Sequence, residues 1–181
     1  MTSMASFSQS TELPFRQIPD DPATYTAETV VARMVEGLAF RYYWATEGLK
    51  PEDLSYQPSE GARTSRETLE HIHGLTQVVF NCVNSKAHIA VEVTTWDFEK
   101  LRAETLNNLL VASQALRSGN LKLEDLPIRF EGRDSEYPFW NQINGPIEDA
   151  VWHVGQVVSF RRASGNPFNS KVSVFNGVVR D

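Results

Sequence analysis

The stretch PIEDAVWHVGQVVSFRRASGNP, residues 146–167, decides how this chain is read. Pro146 sits where proline suits a first helical turn. Gly165-Asn166-Pro167 is a strong stop signal. Between them Ile147, Val151, Val154 and Val158 recur in steps of four and three, which predicts a helix over about residues 146–164 with those side chains on one apolar face. Asp149, His153, Gln156 and Phe160 fall on the opposite face. That face carries no Lys, Arg or Glu, although Glu148, Arg161 and Arg162 are close in sequence, and Trp152 flanks it. A face with aromatics and no long charged side chains is expected to be covered by something rather than solvated.

Three earlier segments read the same way. Residues 26–47 begin with Thr26 as a cap and Glu28 in the first turn, and they carry Val31, Val35, Leu38, Tyr42 and Ala45 on one face. Gly48 and Pro51 end that helix. Residues 65–84 follow Thr64 and Glu67, which have capping-box spacing, and bear Leu69, Ile72, Leu75, Val79 and Val83. Residues 97–118 bear Phe98, Leu101, Thr105, Leu109, Ala112 and Leu116, and Gly119 ends them. Four amphipathic helices of this length bury their stripes best as a bundle, so the expected class is all-α.

The remaining segments are an N-terminal arm over residues 1–24, rich in Ser, Thr, Gln and Pro and expected to pack loosely, and a tail over 168–181. The bundle itself occupies 25–167. The connection over 119–145 is long for a bundle and holds Phe130, Tyr137, Phe139 and Trp140; loops of that kind are usually functional or packed by their own side chains. The tail, with Val172, Val174 and Val178, reads as an extended segment laid against the helices.

The 181 residues suit one domain, and 41% hydrophobic with 22% charged residues places the chain among ordinary globular proteins. A formal charge of −6 gives no reason to seek phosphate backbones, which argues against nucleic acid as a partner. No apolar run approaches the roughly 20 residues of a membrane span. The N-terminus lacks the basic-then-apolar order of a signal peptide, and the single cysteine, Cys82, excludes an intrachain disulfide; a cytoplasmic location is expected.

Chemistry centres on the histidines: His71, His73, His88 and His153. At roughly 100° per residue, His71 shares a face with Leu75, Val78 and Cys82, whereas His73 shares the other with Gln77 and Asn84. His71 is therefore expected to point inward and His73 outward. His88 has no evident partner. Asp149 and His153, four apart, stack on one helix face and can hold one ion from one side; an inward His71 adds a third ligand. Three protein ligands leave positions open, the pattern of catalytic rather than structural metal sites. Cys82 lies eleven residues beyond His71, roughly 16 Å along the axis, too far to join the same ion, and reads as a packing residue.

At these residues the chain resembles the DinB/YfiT-like superfamily. Trp152-His153-Val154-Gly155-Gln156, with Arg161-Arg162 and Gly165-Asn166-Pro167 after it, is similar to the family's last helix. Pro138-Phe139-Trp140-Asn141 and Asn144-Gly145-Pro146 fit the run-in to that helix. Leu69-Glu70-His71-Ile72 resembles the second helix, and residues 54–58 with Tyr56 and Gln57 resemble the connection before it. The likeness extends over about residues 29–167.

The resemblance implies a four-helix bundle with an up-down-down-up course and a long crossover. It also implies a divalent metal on three histidines, one on the second helix and two spaced four apart on the last. His71 and His153 match the first and third; Asp149 stands where the second histidine would be. Zinc or nickel are the foremost candidates, with manganese and iron also compatible with a His-Asp-His set. Several relatives join a low-molecular-weight thiol to an electrophile, because a metal-bound thiol loses its proton near neutral pH and the thiolate is the nucleophile. Gln156 is then expected to contact a ligand or orient His153, with Trp152 beside it. No residue is assigned as catalytic. Arg161 and Arg162, near the helix C-terminus, read as structural.

Two functions follow from the resemblance: a metal-dependent thiol S-transferase acting on small electrophiles, and a non-catalytic, stress-related binding or dimerising protein with a degenerate metal site. An apolar bundle face used for a homodimer would favour the second.

Overall fold

The computed structural model describes residues 12–181. The described chain is mostly helical, in keeping with the all-α class. Four long helices, α1 (Ala27–Thr46), α3 (Ser65–Val83), α4 (Phe98–Arg117) and α6 (Glu148–Ala163), are accompanied by the short α2 (Pro51–Ser55) and α5 (Trp140–Gln142). The strands are two residues each: β1 (Ile128–Arg129) pairs antiparallel with β2 (Glu136–Tyr137), and β3 (Val172–Ser173) with β4 (Val178–Val179).

The caps read from the sequence start the helices. Thr26 Oγ1 accepts the Thr29 N–H at 3.2 Å. Thr64 Oγ1 accepts the Glu67 N–H at 3.1 Å, and Glu67 Oε2 accepts the Thr64 N–H at 2.8 Å. Asp97 Oδ1 takes the Lys100 N–H at 2.7 Å. Each satisfies a donor that helix geometry leaves without an internal partner.

α1 packs on α4 and α6, and α3 packs on the same two helices. Leu38, Phe40, Tyr42, Leu69, Ile72, Leu101, Leu106, Leu109 and Ile147 fill the space between them without measurable exposure beyond 1%. A fully buried side chain of this kind contributes about 1.5–3 kcal/mol. The stripe expected on the first helix is buried throughout. Leu75 and Phe98 are only half-buried, at the edges of the core.

The last helix departs from its expected stripe. Ile147 and Val154 are buried, but their companions are Ala150, Val157 and Arg161, while Val151 is exposed. A stripe drawn on hydrophobicity alone favours the larger Val151 over Ala150. A π turn, Ile143–Ile147, with Gly145 outside helical dihedrals (φ −96°, ψ −107°), precedes α6. Helical structure thus begins at α5, earlier than Pro146 suggests, and Pro146 lies within the π turn.

Arg161 closes the helix ends. Its Nη1 donates to the carbonyls of Trp44, Ala45 and Glu47 at 3.1, 3.0 and 3.0 Å, and its Nε donates to Asn166 O at 2.8 Å. It therefore caps the C-terminal carbonyls of α1 rather than serving its own helix dipole. Pro51, expected only to stop α1, opens α2.

Outside the helices, His88 does have partners: its N–H donates to Arg129 O at 2.7 Å, its carbonyl accepts from Glu131 at 3.0 Å, and its ring meets Phe130. The tail folds into the β3–β4 hairpin, whose Gly177 O accepts the Ile18 N–H at 2.9 Å. Gly177 has φ +69°, and a Cβ there would come within 2.8 Å of Ile18, so only glycine admits this contact. Of the arm, Phe15 is buried and Arg16 O accepts from Trp44 Nε1 at 3.0 Å, so residues 12–24 are held more closely than their composition suggests; the rest of the arm lies outside the described residues. Among the described residues no helix is long and apolar enough to cross a membrane.

Candidate metal centre

The site forms where α3 faces α6. On α6 the buried stripe Ala150, Val154, Val157 fixes the phase, and Asp149, His153 and Gln156 each precede a stripe residue by one, which puts all three along the border that meets α3. On α3, His71 stands beside buried Ile72 and presents its ring to that border.

The three side chains converge. His71 Nε2 lies 3.3 Å from Asp149 Oδ2, and His153 Nε2 lies 3.4 Å from Asp149 Oδ1. The two imidazoles meet edge to face with centroids 4.6 Å apart. One ligand atom from each residue falls within 4.8 Å of the others. Donors about 2.0–2.2 Å from a common ion stand roughly 3–3.5 Å apart; each histidine meets that spacing to a different oxygen of Asp149, so the cluster has to tighten a little around an ion held through one oxygen.

Orientation and charge state suit ligation. His153 Nδ1 is 2.7 Å from Gln156 Oε1; an amide oxygen only accepts, so Nδ1 is the donor of this pair, and in the neutral ring Nε2 is then the nitrogen left to ligate. Burial, then the Arg63 guanidinium and the His153 ring, hold the His71 pKa below its usual value, against an opposing pull from Asp149. The neutral imidazole a metal requires is thereby favoured.

The expected orientations of the two neighbouring histidines are reversed. His73, expected to face outward, is 1% exposed, while His71 keeps about a third of its side chain accessible. His73 Nδ1 is 3.0 Å from Thr105 Oγ1 on α4, and its ring packs on Trp96. Because α3 packs against α4 on one flank and α6 on the other, both flanks are covered. The deeper belongs to His73, whose pKa burial lowers to about 4. His73 and His88 take no part in the cluster.

The aspartate-bearing face of α6 is covered in part. Phe160 packs against Tyr56, centroids 5.7 Å apart, and His71 covers the middle. Trp152 is 73% exposed and flanks the site without enclosing it. Cys82 is buried, its thiol donating to Leu126 O at 3.3 Å, and burial pushes its pKa up, so it is a packing residue as expected.

No family model, curated protein or solved structure matches this chain.

Proposed function

We propose that the chain is a divalent-metal-dependent enzyme of the DinB/YfiT-like kind, joining a low-molecular-weight thiol to a small electrophile. The observation that carries this reading is the convergence of His71, Asp149 and His153 from two helices onto one point. The packing of α1, α3, α4 and α6 around a single core is compatible with the up-down-down-up bundle of that superfamily.

The residues present fit a metal ion. Two imidazole nitrogens and one carboxylate are donors common to zinc, nickel, manganese and iron sites, and Gln156 supplies the support that fixes one ring. When bound, such an ion lowers the pKa of a coordinated thiol or water, and three protein ligands leave room for it. The chain itself does the holding: His71 and Asp149 tie α3 to α6, and Gln156 keeps the proton of His153 on Nδ1. Trp152, exposed beside the cluster, offers an apolar wall to a substrate.

A second reading keeps the fold without catalysis. Asp149 lies close enough to both histidines to hydrogen-bond them unaided, which a degenerate site would also do. Exposed Trp140, Val151 and Trp152 on α5 and α6 would then serve a homodimer contact or another binding partner.

Elemental analysis of protein purified without a metal-affinity tag tests the first reading, alongside His153→Ala. Near-stoichiometric metal that disappears in the variant is expected. No metal in either, after incubation with zinc, nickel, manganese and ferrous iron, overturns it. Asp149→His separates the readings further: it preserves or tightens metal binding in an enzyme and leaves a degenerate site metal-free.

A further inference from the structure

α6 presents three faces. Ala150, Val154 and Val157 are buried against the core, and Asp149, His153 and Gln156 line the border with α3. The third face is exposed. At roughly 100° per residue, Glu148, Val151, Gly155, Ser159 and Arg162 fall within about 40° of one line along the helix, with Trp152 at one border and Val158 at the other.

Charge on this face is confined to its ends. Glu148 and Arg162 are both exposed, and neither has a hydrogen-bonding or ionic partner among the described residues. The helix dipole favours an acid at the start and a base at the end, so their order needs no further cause. The stretch between them does. A solvated helix face ordinarily carries charged and polar side chains; this one carries Val151, Trp152, Gly155 and Ser159, all exposed. Ser159 turns its hydroxyl back onto its own helix, donating to Gly155 O at 3.1 Å. Gly155 lies inside α6, and a Cβ built on it would meet nothing within 4 Å. One chain by itself therefore does not require glycine there, and glycine weakens a helix interior. What it permits is the close approach of a second backbone.

The spacing is symmetric. Glu148 precedes Gly155 by seven residues and Arg162 follows it by seven, close to two turns each way, so both return to the same line. Such a face is complementary to itself when turned end for end. Two copies laid antiparallel bring glycine to glycine, and Glu148 of each copy to Arg162 of the other. The same operation sets Trp152 over Ser159, large on small, and Val151 over Val158.

We infer that this face is the contact between two copies of the chain, an antiparallel α6–α6 pair about a two-fold axis at Gly155. The inference rests on the binding surface of the second reading above and names its occupant. Asp149 and His153 lie on a different face of α6, so pairing and metal content are read independently.

Sedimentation velocity of the full chain over a range of concentrations tests it, with metal content measured on the same samples. A concentration-dependent dimer is expected. Glu148→Arg or Arg162→Glu alone sets like charges opposite each other twice and should weaken the dimer roughly 10–100-fold. The two together restore opposite charges and should restore pairing. Gly155→Leu, whose side chain has room in the single chain, should leave the far-UV helix signal intact and prevent pairing. A monomer at every concentration overturns the inference. So does a dimer that the single reversals leave unchanged, or one that they weaken and the double reversal fails to recover. Neither result bears on the choice between a metal enzyme and a degenerate site, which metal content decides.

Discussion

Gln156 follows His153 by three residues on α6, and its side-chain oxygen stands 2.7 Å from Nδ1 of that ring. The contact does two things at once. It fixes which nitrogen carries the proton, and it holds the ring so that Nε2 faces Asp149, 3.4 Å away. Gln156→Ala is therefore expected to lower metal affinity about 10–100-fold, with little change in fold. Gln156→Glu, a stronger acceptor, should retain or tighten binding. Competition against a chelating indicator measures both. An equal loss in the two variants would mean that the side chain acts through packing rather than through its oxygen.

His73 makes stability depend on acid. Its pKa falls from 6.5 in the unfolded chain to about 4 in the fold, because burial disfavours the imidazolium. Above pH 6.5 neither state is protonated and its contribution is complete. As pH falls from 6.5 toward 4, the unfolded state takes up a proton that the folded state refuses, so stability declines. The loss amounts to about 3 kcal/mol across that window. His73→Asn keeps a donor for Thr105 without an imidazole, and urea midpoints of this variant should vary less between pH 4 and 6.5 than those of the parent. Parallel pH profiles would show that other groups set the acid limit.

The two histidines also show what could be read in the sequence and what could not. The pair Asp149 and His153 was legible because helical spacing alone stacks them; His71 was chosen over His73, on the same helix, through an inward orientation that the structure assigns to His73 and through the resemblance of Leu69-Glu70-His71-Ile72 to the family's second helix. Which of His71 and His73 lies deeper was not legible. A single apolar stripe assigns one inner face, yet α3 has two neighbours, and Thr105 with Trp96 makes a buried place for His73 that no local pattern announces. Val151 misled for a related reason: side-chain size favours it over Ala150, yet Ala150 is the residue buried with Val154 and Val157. The caps at Thr26, Thr64 and Asp97 were readable because their hydrogen bonds span only three residues. The contacts of Arg161 span more than a hundred, and nothing near it in sequence indicates them.

Arg161 carries a prediction about stability. Its buried guanidinium donates to Trp44, Ala45 and Glu47 carbonyls, and to Asn166, joining the C-terminus of α1 to the end of α6. Truncation leaves those carbonyls without donors in a closed space. Arg161→Ala is expected to cost about 3–5 kcal/mol. Arg161→Lys, with fewer donors and no fork, should recover only part of that. Urea denaturation gives the values, and a cost under 1 kcal/mol would show that water replaces the guanidinium without penalty.

The last prediction concerns the junction of α3 and α6. A metal ion held by His71, Asp149 and His153 binds the folded chain and has no formed site in the unfolded one, so it must stabilise the fold. At an ion concentration 100 times the dissociation constant the gain is about 2.7 kcal/mol. For a chain of this size that corresponds to a rise in Tm of about 5–10 °C. Adding the ion to chelator-treated protein should produce the rise, and His71→Ala or His153→Ala should abolish it. Acid should diminish it, because protons compete for the imidazole nitrogens; burial keeps His71 neutral to lower pH than a free histidine, so its share of the competition begins late. The two single variants distinguish a site that bridges the helices from one confined to α6. If His71→Ala leaves the thermal shift intact while His153→Ala removes it, the ion sits on α6 alone and α3 merely packs beside it. If both remove it, the ion is a cross-link between the two helices, and the open side of that cross-link is where a ligand must enter.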